Sequence, residues 1–266
     1  MRSEQGINDR LLDIREKALA NLKDNVLPFW TRATWDHEHG GFLTRVDRAG
    51  NVIDASEKLL IKQVRMLWSL SAAHRFGVAD RGYLALAHQE FDYIVRTFWD
   101  EARGGFHFSV TRDGKPWNTR KNTDFHAYAM IGLAEYYRAS RRKEALEWGN
   151  RVFALLEERA RDGELGYRED FDGRKWPALN SEQMNLGDKQ DIKTIDMHTN
   201  MMEGFIYLYK ASKDPKHLEA LRNVFRLIVD KGIHPEHRCG ITAFDYDWNP
   251  VPDVNGKWTT SYGLNG

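Results

Sequence analysis

Trp35-Asp36-His37-Glu38-His39-Gly40-Gly41-Phe42 recurs in the same frame as Trp99-Asp100-Glu101-Ala102-Arg103-Gly104-Gly105-Phe106, and the closing aromatics lie 64 residues apart. A looser third copy, Asp162-Gly163-Glu164-Leu165-Gly166-Tyr167, ends 61 residues later. His237-Arg238-Cys239-Gly240-Ile241 reads as a degenerate fourth. An acidic residue, then glycine, then an aromatic is turn chemistry: glycine enters the φ > 0 region at no steric cost, and the aromatic opens a short strand. Phe106, Phe108 and Val110 alternate after the second copy, and Asp113-Gly114 closes a hairpin there.

The segments between these turns carry helical periodicity. Leu11, Ile14, Ala18 and Leu22 mark one face of a first helix, which Pro28 limits. Further helices are expected over 58–75, 81–98, 122–139, 144–160, 192–211 and 215–231. The repeat unit is thus a helix pair with a small hairpin. One unit cannot bury its own apolar face, so units pack on one another, as an open solenoid or a closed toroid. The spacing is too long for tetratricopeptide or armadillo repeats, and six pairs would take about 390 residues. Three of the helices mix polar side chains into a dense apolar background: Lys62, Gln63 and Arg65; Asp124, His126 and Tyr128; Asp196, His198, Asn200 and Glu203. Such helices suit an inner ring, with those groups facing a cavity or each other.

Lysine plus arginine and aspartate plus glutamate each number 39, so the net charge is zero and gives no electrostatic footprint for nucleic acid or anionic membrane. No apolar run reaches the ~18 residues of a membrane span. The single cysteine, Cys239, excludes an internal disulfide. With no signal-peptide pattern at Met1-Arg2-Ser3, a cytoplasmic location is expected. Nine tryptophans suit a core, and also suit stacking on sugar faces. His234, His237 and Cys239 lack the partner pair of a tetrahedral zinc site, so no metal is expected. His37 and His39 read as exposed turn residues.

Several segments together resemble the N-acylglucosamine 2-epimerase and cellobiose 2-epimerase superfamily. They are Val64-Arg65-Met66-Leu67-Trp68-Ser69, Gly166 to Asp172, Lys193-Thr194-Ile195-Asp196, Glu203 to Ser212, and Ser261-Tyr262-Gly263. The resemblance implies an all-α fold: a single (α/α)6 toroid domain over 1–266, incomplete, with about seven helices, short β-hairpins between helix pairs, and no C-terminal third. It also implies an isomerase that interconverts free aldoses at C2 by deprotonation and reprotonation through a cis-enediolate, acting on a small sugar without a cofactor. A related aldose–ketose isomerase shares that intermediate. An oligomer is left open. The rivals are a glycoside hydrolase on the same toroid and a non-catalytic sugar-binding fragment.

Carried over residue by residue, Arg65 matches the family's arginine and would hold the developing oxyanion, a task suited to a permanently charged fork. Asp124, His126, Asp196, Asn200 and Trp68 are expected around the substrate. Asp196, Asn200 and Glu203 share one stripe of a regular helix, whereas His198 lies roughly 200° from Asp196. His198 is taken as the second catalytic group on a helix that begins after Asp196. Where the family continues Ser-Tyr-Gly with a catalytic histidine, this chain has Leu264 and then Asn265-Gly266. From that departure the chain as written is expected to be inactive or nearly so.

Overall fold

The computed structural model describes residues 4–78, 82–171, 192–252, 256 and 260–261. The first apolar stripe becomes α1 (Glu4–Asn21), a π-helical turn (Leu22–Val26) and α2 (Leu27–Thr34), with helical backbone at both junctions. Pro28 does not end this helix. It sits in the first turn of α2, where a missing N–H costs nothing, and the π turn just upstream absorbs the break.

Six helices follow where the periodicity puts them: α3 (Leu60–Arg75), α4 (Tyr83–Phe98), α5 (Thr123–Ser140), α6 (Lys143–Arg159), α7 (Ile195–Ser212) and α8 (Pro215–Lys231). α3 packs on α5 and α5 on α7, while α4, α6 and α8 back α3, α5 and α7 respectively. This is an arc of the expected toroid, with an inner and an outer layer. The outer helices are amphipathic: α4 buries Ala87, Phe91, Ile94 and Phe98 along one face. The inner helices touch closely through glycine. A Cβ on Gly132 of α5 would stand 2.7 Å from the Val64 carbonyl oxygen of α3. Among the described residues no helix is long and apolar enough to cross a membrane.

The hairpins zip one end of the arc together. The strand leading into each inner helix pairs, antiparallel, with a strand of the next hairpin: Glu57–Leu59 with Ser109–Thr111, Lys121–Asn122 with Asp170–Phe171, and Lys193–Thr194 with Ala243–Phe244. Within the first two turns an aspartate side chain caps the backbone. Asp36 Oδ1 accepts from Glu38 N (3.1 Å) and His39 N (3.3 Å), and Asp100 Oδ1 accepts from Ala102 N and Arg103 N (3.1 Å each).

The fourth copy is displaced by one residue from its sequence alignment. Gly240, not Ile241, bridges Ile233 as Phe42 bridges Trp35. There His234 replaces the aspartate, its Nδ1 accepting from Glu236 N (3.2 Å) and His237 N (3.1 Å). Arg238 takes the positive φ that Gly40 and Gly104 take elsewhere.

Behind the first three turns stands a fully buried lysine. Lys58 Nζ lies 2.9 Å from Asp36, Lys121 Nζ 3.1 Å from Asp100 and Lys193 Nζ 2.8 Å from Asp162. A buried ammonium persists only when paired and hydrogen-bonded. Burial pushes Lys121 down to about 8, against the pull of Asp100. Burial alone would raise Asp36, but its bonds from Arg112 and Lys58 hold it well below the usual carboxylate range.

Candidate active site

Five residues after each buried lysine, an inner helix presents a side chain that grips the aromatic ending of the preceding turn. Gln63 Oε1 accepts from Phe42 N (2.7 Å), and its Nε2 donates to Phe42 O (2.8 Å). His126 Nε2 accepts from Phe106 N (2.8 Å), and Nδ1–H donates to Asn122 O (2.6 Å). His198 Nε2 accepts from Tyr167 N (3.2 Å), and Nδ1–H donates to Thr194 O (2.8 Å). Each accepting nitrogen must be bare and each donating one protonated, which fixes both tautomers. Burial pushes both imidazoles down to about 4.

This corrects two expectations. His198, expected on a helix that begins after Asp196, does not face the polar cluster, because α7 begins at Ile195 and the regular helix turns His198 into the hairpin. It is fully buried. His126 is not a substrate ligand for the same reason: both ring nitrogens are already engaged, and its side chain is buried.

Arg65 and Asn200 lie two positions beyond their grip residues, as does Tyr128, and Asp124 and Asp196 lie two positions before theirs. The Arg65 guanidinium carbon lies 4.3 Å over the ring of Tyr128 on α5. Tyr128 Oη donates to Asn200 Oδ1 on α7 (3.3 Å), and Asn200 Nδ2 donates to Asp124 Oδ1 (2.7 Å). Three inner helices thus contribute to one contiguous polar cluster. Burial raises the Asp124 carboxyl above its ordinary value; the Asn200 bond and the Arg65 charge oppose this, and the Asp196 charge adds to it. Asp196 is therefore electrostatically part of the same cluster, and it is exposed. Trp68 is 37% exposed and donates Nε1–H to Tyr207 Oη on α7 (3.1 Å), so it too faces inward. Among the described residues no carboxylate lies within ion-pair distance of Arg65, and Glu203 is not its partner.

Arg65 and Trp68 also line a cavity of about 530 Å³ between α2 and α3, with Leu27, Trp30, Lys62 and Phe76 among its walls. Lys62 Nζ stands 3.8 Å over the Trp30 ring. Tyr207 was not foreseen as a site residue, and Lys62 was expected on an inner helix but not against Trp30. Tyr207 lies within the Glu203 to Ser212 segment but nothing local sets it apart there, and the contact of Lys62 with Trp30 is recognisable only once α2 is known to fold against α3.

A profile of the N-acylglucosamine 2-epimerase (GlcNAc 2-epimerase) family matches residues 40–265. The chain belongs to that family. The cellobiose 2-epimerase of Bacteroides fragilis is 28% identical over 253 residues, covering 92% of this chain and 64% of its own length. The Ruminococcus albus cellobiose 2-epimerase is 31% identical over 242 residues, covering 91% of this chain and 60% of its own length. The structure of a cellobiose 2-epimerase from Spirochaeta thermophila superposes with a TM-score of 0.83 at 31% identity, over 92% of this chain and 60% of that one. The chain therefore spans about three fifths of the length of these relatives. The family match includes every residue of the polar cluster. Tyr262 to Gly266, which include part of the Ser261-Tyr262-Gly263 segment, lie outside the described residues, as does Asp172.

Proposed function

We propose that the cluster of Arg65, Asp124, Tyr128, Asp196 and Asn200 is the sugar-binding face of an aldose 2-epimerase. The observation that carries this reading is the Arg65 guanidinium. It has no ion-pair partner among the described residues, is held against an aromatic face, and sits beside a chain of hydroxyl, amide and carboxyl groups. That set matches an open-chain aldose. The fork of Arg65 receives O1 or O2, while Asn200, Asp124 and Asp196 exchange hydrogen bonds with the remaining hydroxyls. When the C2 proton leaves to a base, its electron pair moves into the C1 carbonyl and gives an enediolate. A fixed cation beside that oxygen stabilises the negative charge, and return of a proton to the opposite face inverts C2.

His126 and His198 take no part in the proton transfers of this scheme. The cellobiose 2-epimerases that this chain resembles support a reducing sugar as the substrate class.

Solvent exchange tests the proposal. In D2O, an epimerase places deuterium at C2 of cellobiose, mannose or N-acetylglucosamine, read by NMR. Arg65→Met is expected to lower that exchange by about 10²–10³-fold, the usual loss for one oxyanion donor. Release of a new reducing end from a glycoside without exchange would replace this reading with a hydrolase. Sugar binding with neither reaction would leave a non-catalytic sugar-binding protein.

A further inference from the structure

The three inner helices run parallel, because each is entered from a strand at the hairpin end of the arc. Positions further along them therefore lie deeper below the hairpins. Arg65, Tyr128 and Asn200 mark the level of the polar cluster. Trp68 lies three residues beyond Arg65, about 4.5 Å along α3 and on the same side. Tyr207 lies seven residues beyond Asn200, two turns along α7 and within about 20° of it. Trp68 Nε1–H donates to Tyr207 Oη at 3.1 Å, although α5 lies between α3 and α7, so this bond spans the concave side of α5. The α5 side chains change character at the same depth. Asp124 and Tyr128 are partly exposed, whereas Ile131 is 5% exposed and Glu135 is buried. Ile131 and Glu135 follow Tyr128 at three and seven residues and share its face. Arg75 of α3 and Arg138 close over Glu135. The hollow is open at the level of the cluster and filled below it.

We infer that Tyr207, bonded to Trp68, is a specificity-determining residue: the pair forms the floor of the sugar pocket and confines it to the terminal, reducing residue of a free sugar. The inference rests on the sugar-site reading, in which Arg65 holds O1 or O2. About 4.5 Å of helix rise separates Arg65 from the floor, room for C1 and its oxygen but not for a substituent beyond them. The floor suits the end of a carbon chain. The indole is 37% exposed and offers an apolar face, and the Tyr207 oxygen, which accepts from the indole, retains its O–H for a sugar oxygen. The rest of the sugar extends the other way, past Asn200 toward Asp124 and Asp196 in the first turns of α5 and α7. A residue from the interior of a sugar chain has no path through the floor.

Gluconamides test the floor without turnover. They are open-chain, carry a carbonyl at C1, and in their N-alkyl forms place a tail beyond it. Calorimetric titration of the full chain with gluconamide and its N-methyl and N-butyl derivatives is expected to show affinity falling as the tail grows. The fall should be about tenfold or more in all, because the tail meets Trp68 and Tyr207. Tyr207→Ala opens the floor and is expected to restore most of the affinity lost by the N-butyl compound, with gluconamide itself little changed. Should Tyr207→Ala not fold, the wild-type series decides alone. Wild-type affinity that is indifferent to tail length overturns the inference. So does a Tyr207→Ala protein that binds all the probes more weakly by the same factor, the mark of a merely structural bond. Both results leave the sugar site standing. A wild-type chain that binds no gluconamide also overturns the floor, and if it places no deuterium at C2 of a free sugar in D2O, the sugar site falls with it.

Discussion

Replacing His126 by leucine separates a structural grip from a catalytic base. Leucine is apolar and of similar size, so the site stays filled. One buried group loses its partner, the Phe106 N–H, now 2.8 Å from Nε2, while the Asn122 carbonyl, now 2.6 Å from Nδ1, keeps the first backbone bond of α5. An unsatisfied buried N–H costs about 1–3 kcal/mol, so His126→Leu should cost about 1–3 kcal/mol. For a chain of this size about 3 kcal/mol lowers the melting midpoint by about 6–12 °C, readable by calorimetry or circular dichroism. His126→Gln should cost less than about 1 kcal/mol, because Gln63 already does the same work in the first repeat, accepting from Phe42 N and donating to a carbonyl. Glutamine cannot act as a base near pH 7, so this variant should keep both its stability and any sugar chemistry. The reasoning fails if leucine is tolerated within 1 kcal/mol, if glutamine is as damaging as leucine, or if glutamine abolishes exchange at C2 in a fully stable protein.

Three further outcomes follow from the same geometry. Burial holds His126 and His198 at about 4, below the ~6.5 of an unfolded chain, so the unfolded state binds more protons and stability falls as pH drops from 6.5 toward 4. Each should account for about 2 kcal/mol of loss between pH 7 and pH 5 in urea unfolding, and His198→Gln should flatten the slope. Lys121→Met strands the buried Asp100 carboxylate and should cost about 3–5 kcal/mol, much of it recovered by adding Asp100→Asn. Gly132→Ala drives a methyl to 2.7 Å from the Val64 carbonyl; the forced separation of α3 from α5 should cost about 1–3 kcal/mol despite alanine's better helix propensity. By moving Arg65 off Tyr128, it should also weaken sugar binding in a calorimetric titration.

The helices were legible because their periodicity is local, and most of their bounds agree with expectation to within two or three residues. The turns were legible because Gly40-Gly41 and Gly104-Gly105 all need positive φ, a demand that sequence displays openly. The fourth turn was misaligned because His234 and Arg238 substitute for aspartate and glycine by geometry, not by residue type. The buried lysines were missed for a related reason. Lysine is ordinarily a surface residue, and nothing local announces that Lys58, Lys121 and Lys193 each meet an aspartate from 21 to 31 positions away. The signal was present as a lysine followed five residues later by glutamine or histidine, three times over, but it has meaning only once the hairpins are seen to fold back on the helices.

That five-residue step also explains why the two histidines point away from the cluster that Arg65 joins. Each inner helix carries a grip residue (Gln63, His126, His198) and, two positions on, a cluster residue (Arg65, Tyr128, Asn200). Two positions on an α-helix are about 200°, so the pair points in nearly opposite directions. The grip position faces a backbone N–H that must be satisfied in every repeat, which restricts it to side chains with an acceptor and leaves nothing for a ligand. The cluster position faces the hollow and carries no such obligation. It is therefore filled by three chemically unlike residues that touch one another in series, the guanidinium over the phenol and the phenol on the amide. In this arc, a titratable side chain at the grip position belongs to the fold however catalytic it looks. Differences in substrate among similar chains should accordingly concentrate two residues further along.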